Sequence, residues 1–261
     1  MGKFWSLLFF LVPVLGVALF VVSADVNMLD HWFPADVSAD GHVIDSLFMM
    51  ILGLTGVVFV ATEVCLAYFL WRYDAKSNRD AIKFTHGSHT LEVVWTIVPA
   101  ATLLFIAIYQ MNAWADAKIR KPEHPGIEVE VRGRQFEWRF RYAGADGKLY
   151  TPDDVFFESE LHLPVDEEVL VHLKSEDVLH SFFLPNLRVK QDAVPGMVIP
   201  VWFRPTKVGA WDLVCAELCG WGHYKMRGRI VVQSREDFDA WLAQTAEKQH
   251  ATQAEQPVAA K

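Results

Sequence analysis

The chain has 261 residues, with 24 basic and 32 acidic side chains and a formal net charge of −8. This acidic balance excludes a nucleic-acid-binding protein that works by neutralising phosphates, because such proteins carry a basic footprint. Three cysteines are too few for a small secreted fold held together by disulfides. Hydrophobic residues make up 52% of the chain and aromatic residues 13%, which excludes a chain that is disordered throughout.

Three long apolar stretches lie in the N-terminal part of the chain. Residues 4–22 and 93–111 carry no charged side chain, and residues 44–71 carry only two. A helix of about 20 residues spans the ~30 Å hydrocarbon core of a bilayer. The sequence therefore predicts a transmembrane helical hairpin within residues 25–111, with its helices at about 44–71 and 92–111.

The charges beside these stretches predict the orientation of the anchor. The segment 72–91 contains four basic residues, whereas residues 25–45 contain five Asp and no Lys or Arg. Because cytoplasmic loops carry the excess of Lys and Arg, the segment 72–91 is expected in the cytoplasm. Residues 112–261 then lie on the outer face. In a bacterium this describes a multi-pass protein of the inner membrane with a periplasmic domain.

The first apolar stretch allows two interpretations. Lys3, the apolar run and the small residues Val22-Ser23-Ala24 fit a cleaved signal peptide. The run is longer than the usual hydrophobic region of about 7–15 residues, which fits an additional transmembrane helix instead. Residues 1–24 are therefore expected to be either a signal peptide or an extra transmembrane helix, and both give the same topology for the rest of the chain.

Residues 112–247 carry the pattern of a β-structure. Apolar residues alternate along 127–142 and their parity switches near Gly133, which predicts a long strand with a bulge. Later runs separated by turn formers predict short strands at 155–163, 169–173, 181–184, 197–203, 210–214 and 228–232. Strands at this spacing predict a sandwich or barrel. Ser234 is expected to cap a short amphipathic helix, and the polar residues 248–261 predict a disordered tail.

A cluster of metal-binding residue types lies near the end of this region. Its members are Cys215, Cys219, His223 and Met226, with His180 further upstream. Thiolate, imidazole and thioether form a soft ligand set, which selects copper over magnesium or calcium. A single-copper electron-transfer site uses one cysteine, so the second thiolate indicates two copper ions bridged by both sulfurs. Each ion would also bind one histidine, and the methionine and a backbone carbonyl would be weak ligands.

Two other arrangements use the same side chains. A disulfide between Cys215 and Cys219 is chemically possible in an oxidising compartment. A zinc site with two cysteines and two histidines is possible as well, although zinc gives no role to Met226. Cys65 lies inside a predicted membrane segment and is expected to be a packing residue.

The pattern Cys215-x-Glu217-x-Cys219-x₃-His223-x₂-Met226 resembles that of subunit II of haem–copper cytochrome c oxidases. The resemblance covers residues 43–245 and includes the segments 91–100, 176–181 and 190–196. It implies an all-β cupredoxin-like Greek-key barrel on the periplasmic side, anchored by the N-terminal transmembrane α-helical hairpin.

The resemblance also implies the metal ligands and the reaction. The dinuclear copper A centre would be held by His180, Cys215, Cys219, His223, Met226 and the backbone oxygen of Glu217. The side chain of Glu217 would bind a magnesium ion shared with subunit I. The copper centre would accept electrons from cytochrome c or a similar donor and pass them to haem in subunit I.

The remaining expectations concern the whole complex. Subunit I, with its haem and copper B, would reduce oxygen to water and couple this reaction to proton translocation. Subunit III and membrane lipid are further expected partners. No haem is expected in this chain, because the sequence holds no Cys-x-x-Cys-His motif.

The resemblance further implies that electrons enter through an aromatic run, which corresponds here to Phe136 and Trp138. Phe136 stands where the family has tryptophan, so it is either an exposed contact or a core residue. Four arginines flank the run: Arg132, Arg134, Arg139 and Arg141. From residue 112 onward the chain has 23 acidic and 19 basic residues. A strongly basic cytochrome c docks on an acidic patch, so we expect an acidic cytochrome domain or a membrane-bound donor instead.

Two carboxylates belong to the predicted membrane segments. Glu92 starts the third segment, where a negative charge compensates the positive end of the helix dipole. The resemblance implies a different role for Glu92, at the mouth of a proton channel into subunit I. Glu63 lies inside the second segment, where an ionisable residue is by default a functional hypothesis. The resemblance assigns no role to Glu63.

Other proteins share parts of this pattern. The copper A subunit of a nitric oxide reductase is the main alternative, because the substrate is chosen in another chain. Subunit II of a quinol oxidase lacks the copper ligands, and nitrous oxide reductase lacks the hairpin anchor. A copper-delivery protein needs an open site, which a ligand set closed by His, Met and a backbone oxygen disfavours.

Overall fold

The computed structural model describes residues 2–23, 33–73 and 86–255. The chain divides into two compact units. The helical unit comprises Met1–Phe33 and Asp45–Asn112, and the β unit comprises Pro34–Ile44 and Ala113–Lys261. Most of the predicted cytoplasmic segment 72–91 lies outside the described residues.

Three helices among the described residues are long and apolar enough to cross a membrane. They are α1 (Gly2–Ser23), α2 (Gly41–Arg72) and α3 (His89–Tyr109). Both segments of the predicted hairpin are thus helical, and α3 begins three residues before the predicted start at residue 92. The side chain of Ser88 accepts a hydrogen bond from the N–H of Leu91 at 3.5 Å, which caps this earlier start. A short helix, α4 (Met111–Lys118), follows.

Helix α1 packs on α2 through a polar contact. The hydroxyl of Ser6, which is buried, donates a hydrogen bond of 2.7 Å to the carbonyl of Ala67. Pro13, seven residues further along α1, is buried as well. Residues seven apart lie on one face of a helix, so α1 presents a defined packing face. Cys65, predicted to be a packing residue, is instead exposed on α2.

The β unit is a sandwich of two five-stranded sheets that enclose one apolar core. The strands are β1 (Ile127–Arg134), β2 (Glu137–Tyr142), β3 (Val155–Glu158), β4 (Glu160–Pro164), β5 (Val169–Ser175), β6 (His180–Leu184), β7 (Val189–Ala193), β8 (Ile199–Phe203), β9 (Gly209–Cys215) and β10 (Arg227–Gln233). One sheet has the order β3-β2-β1-β5-β8 and the other β4-β10-β9-β6-β7. Strand pairs β1–β5 and β4–β10 are parallel, and the other pairs are antiparallel.

The predicted long strand over 127–142 is wrong. Residues 127–134 and 137–142 form an antiparallel hairpin, in which Arg134 faces Glu137 across a two-residue turn. A turn of this kind shifts the parity of inward-facing residues, so the switch near Gly133 marks a change of strand and not a bulge. The predicted run 155–163 is also two strands, which separate at Ser159 with its φ of 67° and enter different sheets.

Residues 34–44 group with the β unit, although helix α2 begins at Gly41 within this range. Val37 is buried in the apolar core, at 1% exposure. Its N–H donates to the carbonyl of Asn186 at 3.0 Å, and its carbonyl accepts from the N–H of Thr206 at 2.8 Å. These long-range bonds attach the segment to the sandwich.

The last element is helix α5 (Arg235–Glu255). Ser234 caps it as predicted, since its hydroxyl accepts a bond of 3.1 Å from the N–H of Asp237. The helix is longer than expected, so the predicted disordered tail is wrong for residues 248–255, and residues 256–261 lie outside the described residues. The ring of Trp241 stacks on His162 of β4, with centroids 3.9 Å apart.

Candidate metal centre

Three neighbouring strands bring the predicted metal ligands together. His180 is the first residue of β6 and Cys215 is the last residue of β9, and these two strands pair side by side. Met226 immediately precedes β10, which pairs with β9 on its other side. The N–H of Cys215 donates to the carbonyl of Met226 at 3.1 Å, which closes the base of the loop 216–225. This loop supplies the other ligands.

The two sulfurs and two imidazoles are arranged in pairs. Sγ of Cys215 lies 3.9 Å from Nδ1 of His180, and Sγ of Cys219 lies 3.6 Å from Nδ1 of His223. The two Sγ atoms are 4.0 Å apart. Each histidine therefore lies beside a different cysteine. Sδ of Met226 is 3.7 Å from Sγ of Cys219.

The cluster is enclosed and its thiols are free. His180 has no exposed surface, and Cys215, Cys219 and Met226 are also buried. The ligand atoms of His180, Cys215 and Cys219 lie within 4.8 Å of one another. The sulfur separation of 4.0 Å is about twice the ~2.05 Å of a disulfide bond, so the disulfide alternative is not formed here.

A backbone oxygen also reaches the cluster. The carbonyl of Glu217 lies 3.2 Å from Sγ of Cys215. The loop turns this oxygen toward the sulfurs, while the Glu217 side chain stays half-buried. All six predicted ligand residues therefore converge at one end of the sandwich.

The cysteines differ in acidity. Burial acts to raise the pKa of Cys215, but hydrogen bonds with His180 and with the backbone of Glu217 and Ser181 lower it to about 6. Burial and the charge of the neighbouring Cys215 raise the pKa of Cys219 to about 11. A thiolate therefore forms first at Cys215, beside His180. Thiolates are the form in which cysteines bind metals.

Residues outside the proposed ligand set hold two of the ligands in place. Oδ1 of Asp177 lies 2.7 Å from Nε2 of His180, and its Oδ2 accepts a bond of 2.8 Å from the N–H of Gln135. The amide side chain of Gln135 donates to the carbonyl of Cys219. A side-chain carbon at Gly133 would lie 2.9 Å from Cδ2 of His180, so the close approach of this strand requires glycine. Carboxylate–histidine pairs of this kind fix the orientation of metal-binding imidazoles.

Asp177 and Gln135 were missed by the sequence analysis. An Asp three residues before a ligand histidine was the available signal for Asp177. Gln135 had no local signal, because the strand pairing brings it to Cys219, 84 positions away.

The predicted electron-input residues differ in exposure. Trp138 has no exposed surface and packs against the rings of His180 and Phe182, so it cannot touch a donor as predicted. Phe136 is half-buried at the turn, and its ring centroid is 5.3 Å from that of Trp221. Trp221 is 81% exposed and was not singled out from the sequence.

Three of the four flanking arginines are neutralised within the sheet. Arg132 pairs with the buried carboxylate of Glu130. Two further arginines pair with acidic neighbours: Arg139 with Glu137, Glu158 and Glu176, and Arg141 with Glu130 and Asp154. Arg134 forms no ion pair with any described residue. The basic character expected around this run is thus reduced to Arg134.

The two carboxylates of the helical unit differ in their surroundings. Glu92 lies in the first turn of α3, is 54% exposed and has Nδ1 of His89 at 3.8 Å. Glu63 lies within α2, and its Oε2 has no hydrogen-bond partner in the part of the chain that the structure describes.

The fold and the cluster together define a cupredoxin-like domain whose cysteine–histidine cluster is consistent with a copper site, preceded by helices long and apolar enough to cross a membrane. Family comparison assigns both parts. The description "Cytochrome C oxidase subunit II, periplasmic domain" matches residues 127–235, and "Cytochrome C oxidase subunit II, transmembrane domain" matches residues 25–113. The chain belongs to the cytochrome c oxidase subunit II family.

Two relatives agree with this assignment by sequence. The chain is 32% identical to the alternative cytochrome c oxidase subunit 2 of Bradyrhizobium diazoefficiens, over 84% of this chain and 86% of the relative. It is 29% identical to cytochrome c oxidase subunit 2 of Cereibacter sphaeroides, over 78% of this chain and 75% of that relative. The crystal structure of the periplasmic domain of cytochrome oxidase subunit II from Bradyrhizobium japonicum matches with a TM-score of 0.44 and 28% identity, over 48% of this chain and 96% of that one.

The expected fold and function are confirmed. The chain is subunit II of a haem–copper oxidase, a membrane protein with a periplasmic cupredoxin-like domain. Neither of these two relatives favours the nitric oxide reductase alternative.

Proposed function

We propose that this subunit holds a dinuclear copper centre and relays single electrons to haem in subunit I. The proposed ligands are His180, Cys215, Cys219, His223, Met226 and the carbonyl of Glu217. The observation that carries the proposal is the pairing of each imidazole with a different thiol, at 3.9 and 3.6 Å. Two thiolates between two such histidines suit two bridged ions, whereas a single-copper site needs one cysteine.

The bound copper supplies a one-electron couple, and the protein supplies rigidity around it. The ligands come from adjacent strands and a short loop. One hydrogen bond, from the N–H of Cys215 to the carbonyl of Met226, closes the base of this loop. Asp177 orients His180, and Gln135 holds the carbonyl of Cys219. Four of the ligand side chains are buried, those of His180, Cys215, Cys219 and Met226, and His223 is half-buried. Ligands held in this way move little when the charge changes.

The complex supplies the remaining roles. We propose that the Glu217 side chain, which makes no hydrogen bond or ion pair with the described residues, binds magnesium together with subunit I. Glu92 is proposed at the mouth of a proton channel into that subunit. Subunit III, membrane lipid and a donor cytochrome are the further proposed partners, in a bacterial inner membrane. The donor is proposed to be acidic or membrane-bound.

Residues 2–23 are proposed to remain in the mature protein as a third transmembrane helix. The buried bond between Ser6 and Ala67 and the buried Pro13 support this choice over a cleaved signal peptide. Intact-mass measurement of the purified subunit tests it. A mass that includes the N-terminal 23 residues is expected, and a mass beginning near residue 25 would contradict it.

The relay is tested in the whole oxidase complex with the substitution Cys219→Ser. We expect reduction of subunit I haem by a cytochrome donor to fall by about a hundredfold or more, since one bridging thiolate is lost. Haem content and carbon monoxide binding in subunit I should be unchanged. Cys65→Ser is the matched control and should behave as the natural protein. Normal haem reduction in the Cys219→Ser complex would refute the relay.

A further inference from the structure

Trp221 is the most exposed large apolar side chain among the described residues, at 81%. It lies in the metal-binding loop, two residues after Cys219 and two before His223. Two other large apolar side chains of the same loop are also widely exposed, Leu218 at 75% and Tyr224 at 70%. Exposed apolar side chains that cluster in this way mark interaction sites rather than ordinary surface.

The indole ring of Trp221 packs against Phe136 in the β1–β2 turn. Its ring meets the ring of Phe136 edge to face, at 5.3 Å and 67°. Phe136 in turn lies directly under the loop backbone. A side-chain carbon added at Gly222 would come within 2.5 Å of this ring, and one at Gly220 within 3.3 Å. Glycine at both positions therefore lets the β1–β2 turn support the loop on either side of Trp221.

This support also connects the indole to the metal ligands. Gln135, next to Phe136, donates a hydrogen bond to the carbonyl of Cys219. Trp138 on the adjoining strand has no exposed surface, and Phe136 is half-buried beside the loop. Trp221, in contrast, is 81% exposed and lies two residues along the chain from Cys219.

Near Trp221, two basic side chains lack an ion-pair partner among the described residues, and the loop also carries one unpaired carboxylate, that of Glu217. Arg134 precedes the turn, and Lys225 follows in the loop with its Nζ 5.5 Å from the ring centroid of Tyr224. Neither forms an ion pair with any residue of the described ranges. Arg227 is neutralised by Asp212 at 3.0 Å. A partner with acidic residues around an apolar centre therefore complements this surface.

We propose that Trp221 is the electron-input contact of this subunit, and that its indole docks against the exposed haem edge of an acidic c-type cytochrome. The inference rests on the proposed copper relay. With copper bound, one electron would pass from the ferrous haem of the donor, which would become ferric, to the copper centre. The indole is neither oxidised nor reduced. It shortens the gap between the haem edge and Cys219 and provides the apolar centre of the docking surface.

The test uses the whole oxidase complex and a soluble c-type cytochrome of net negative charge. We expect Trp221→Ala to lower kcat/KM for cytochrome oxidation by about tenfold or more, the usual scale of a central interface residue. Trp221→Phe should lose less. The control Val208→Ala, an exposed apolar residue next to the end of β9 away from Cys215, should change kcat/KM by less than about threefold.

Two further measurements separate docking from a structural role. The rate of copper-to-haem transfer after photoreduction and the copper paramagnetic resonance spectrum should be unchanged in Trp221→Ala. Loss of the copper spectrum would assign Trp221 to maintaining the centre and overturn the proposal. Unchanged kcat/KM would overturn it as well.

The charge of the donor is tested with a second cytochrome. With the acidic cytochrome, Lys225→Gln should lower kcat/KM, and added salt should lower the rate for the natural complex. Faster oxidation of a strongly basic cytochrome c would contradict the acidic donor. If the natural complex contained no dinuclear copper, the proposed relay would fail. If it contained the centre and Trp221→Ala were fully active, only the electron-input assignment would fail.

Discussion

Asp177 shows how a single carboxylate connects the metal-binding residues to the rest of the sandwich. One oxygen bonds to the His180 ring and the other accepts the N–H of Gln135. The histidine is therefore oriented by a residue that does not bind metal. Partners of this kind fix which ring nitrogen faces the ion.

Replacement of this carboxylate should weaken copper binding. For Asp177→Ala we expect copper affinity to fall by about 10- to 100-fold, because the His180 ring loses its orienting partner. Titration of the reduced full-length subunit with copper(I) against a competing chelator measures the change. Asp239→Ala, an exposed aspartate on α5, is the control. Equal affinities in the natural protein and the Asp177→Ala variant would contradict this role.

The ligands were predictable at the residue scale, but their support was not. The spacing of Cys215, Cys219, His223 and Met226 carries the chemistry in one short loop. Gln135 comes to this loop through strand pairing, which no local pattern describes. Trp138 was predicted as an electron-input contact from the resemblance, but the fold buries it against His180 and Phe182.

At the scale of secondary-structure elements, the sheet that contains β1 and β5 holds a buried carboxylate, Glu130 of β1. Glu130 has no exposed surface, and Arg132 and Lys174 donate hydrogen bonds to its oxygens. Burial acts to raise the pKa of Glu130, but the bonds from Lys174 and Arg132 outweigh it and hold the pKa below its usual value. The ionised carboxylate therefore stabilises the folded sheet.

This carboxylate should give the sheet an acid-sensitive stability. A pKa that is lower in the folded state contributes free energy above the unfolded value of ~4.3, and the contribution is lost as the pH falls through the folded value. Glu130→Gln should reduce the free energy of unfolding at pH 7 by about 1–3 kcal/mol. The difference should shrink below about pH 4. Denaturant unfolding of the full chain in detergent at several pH values measures it, and a difference independent of pH would contradict the assignment.

Helix α5 covers the free edge of strand β3. The Gln249 side chain accepts from the N–H of Phe156 and donates to the carbonyl of Asp154, both at 2.9 Å. Unpaired strand edges need such cover. The polar composition after residue 248 led to the prediction of disorder. The contact of Gln249 with β3 leaves no periodic pattern in the sequence, so the longer helix could not be predicted.

Loss of this cover should loosen β3 locally. Gln249→Ala should lower the protection of the Phe156 amide in hydrogen exchange by about 1–2 kcal/mol of opening free energy, since two hydrogen bonds are lost. The control is Gln244→Ala, an exposed glutamine of the same helix. Equal exchange of this amide in both variants would show that Gln249 does not hold the edge.

Periodicity predicted most strands, because inward-facing apolar residues repeat every second position. It failed at β7, whose residues 189–193 are largely polar at the edge of a sheet. The attachment of Val37 to the sandwich was not predicted either, since it rests on contacts with distant residues.

At the scale of the whole molecule, the chain combines membrane helices with a metal-binding domain, and both parts were predictable. The anchor can be predicted from long uncharged runs and from the charges of the loops, because neither signal depends on tertiary contacts. Glu92 is the residue of the anchor with a proposed role in the complex. Its position in the first turn of α3 also fits simple compensation of the helix dipole, so activity must distinguish the two roles.

If Glu92 serves a proton channel, its replacement should lower turnover by more than any loss of helix stability can explain. Glu92→Ala should lower steady-state oxygen reduction by the whole complex severalfold, with copper and haem content unchanged. Glu92→Asp keeps a carboxylate and should retain most of the activity. Helix compensation alone would cost about 0.3–1 kcal/mol of stability and leave turnover intact. Full turnover in Glu92→Ala would therefore contradict the channel role.

The central claim is that two metal ions share the two sulfurs of this subunit. The most direct measurement is metal content together with the paramagnetic resonance spectrum of the full-length subunit, loaded with copper in detergent. We predict two copper ions per chain and hyperfine splitting from two equivalent copper nuclei in the half-reduced state. A single metal ion per chain, zinc in place of copper, or a bond between the Cys215 and Cys219 sulfurs would contradict the account.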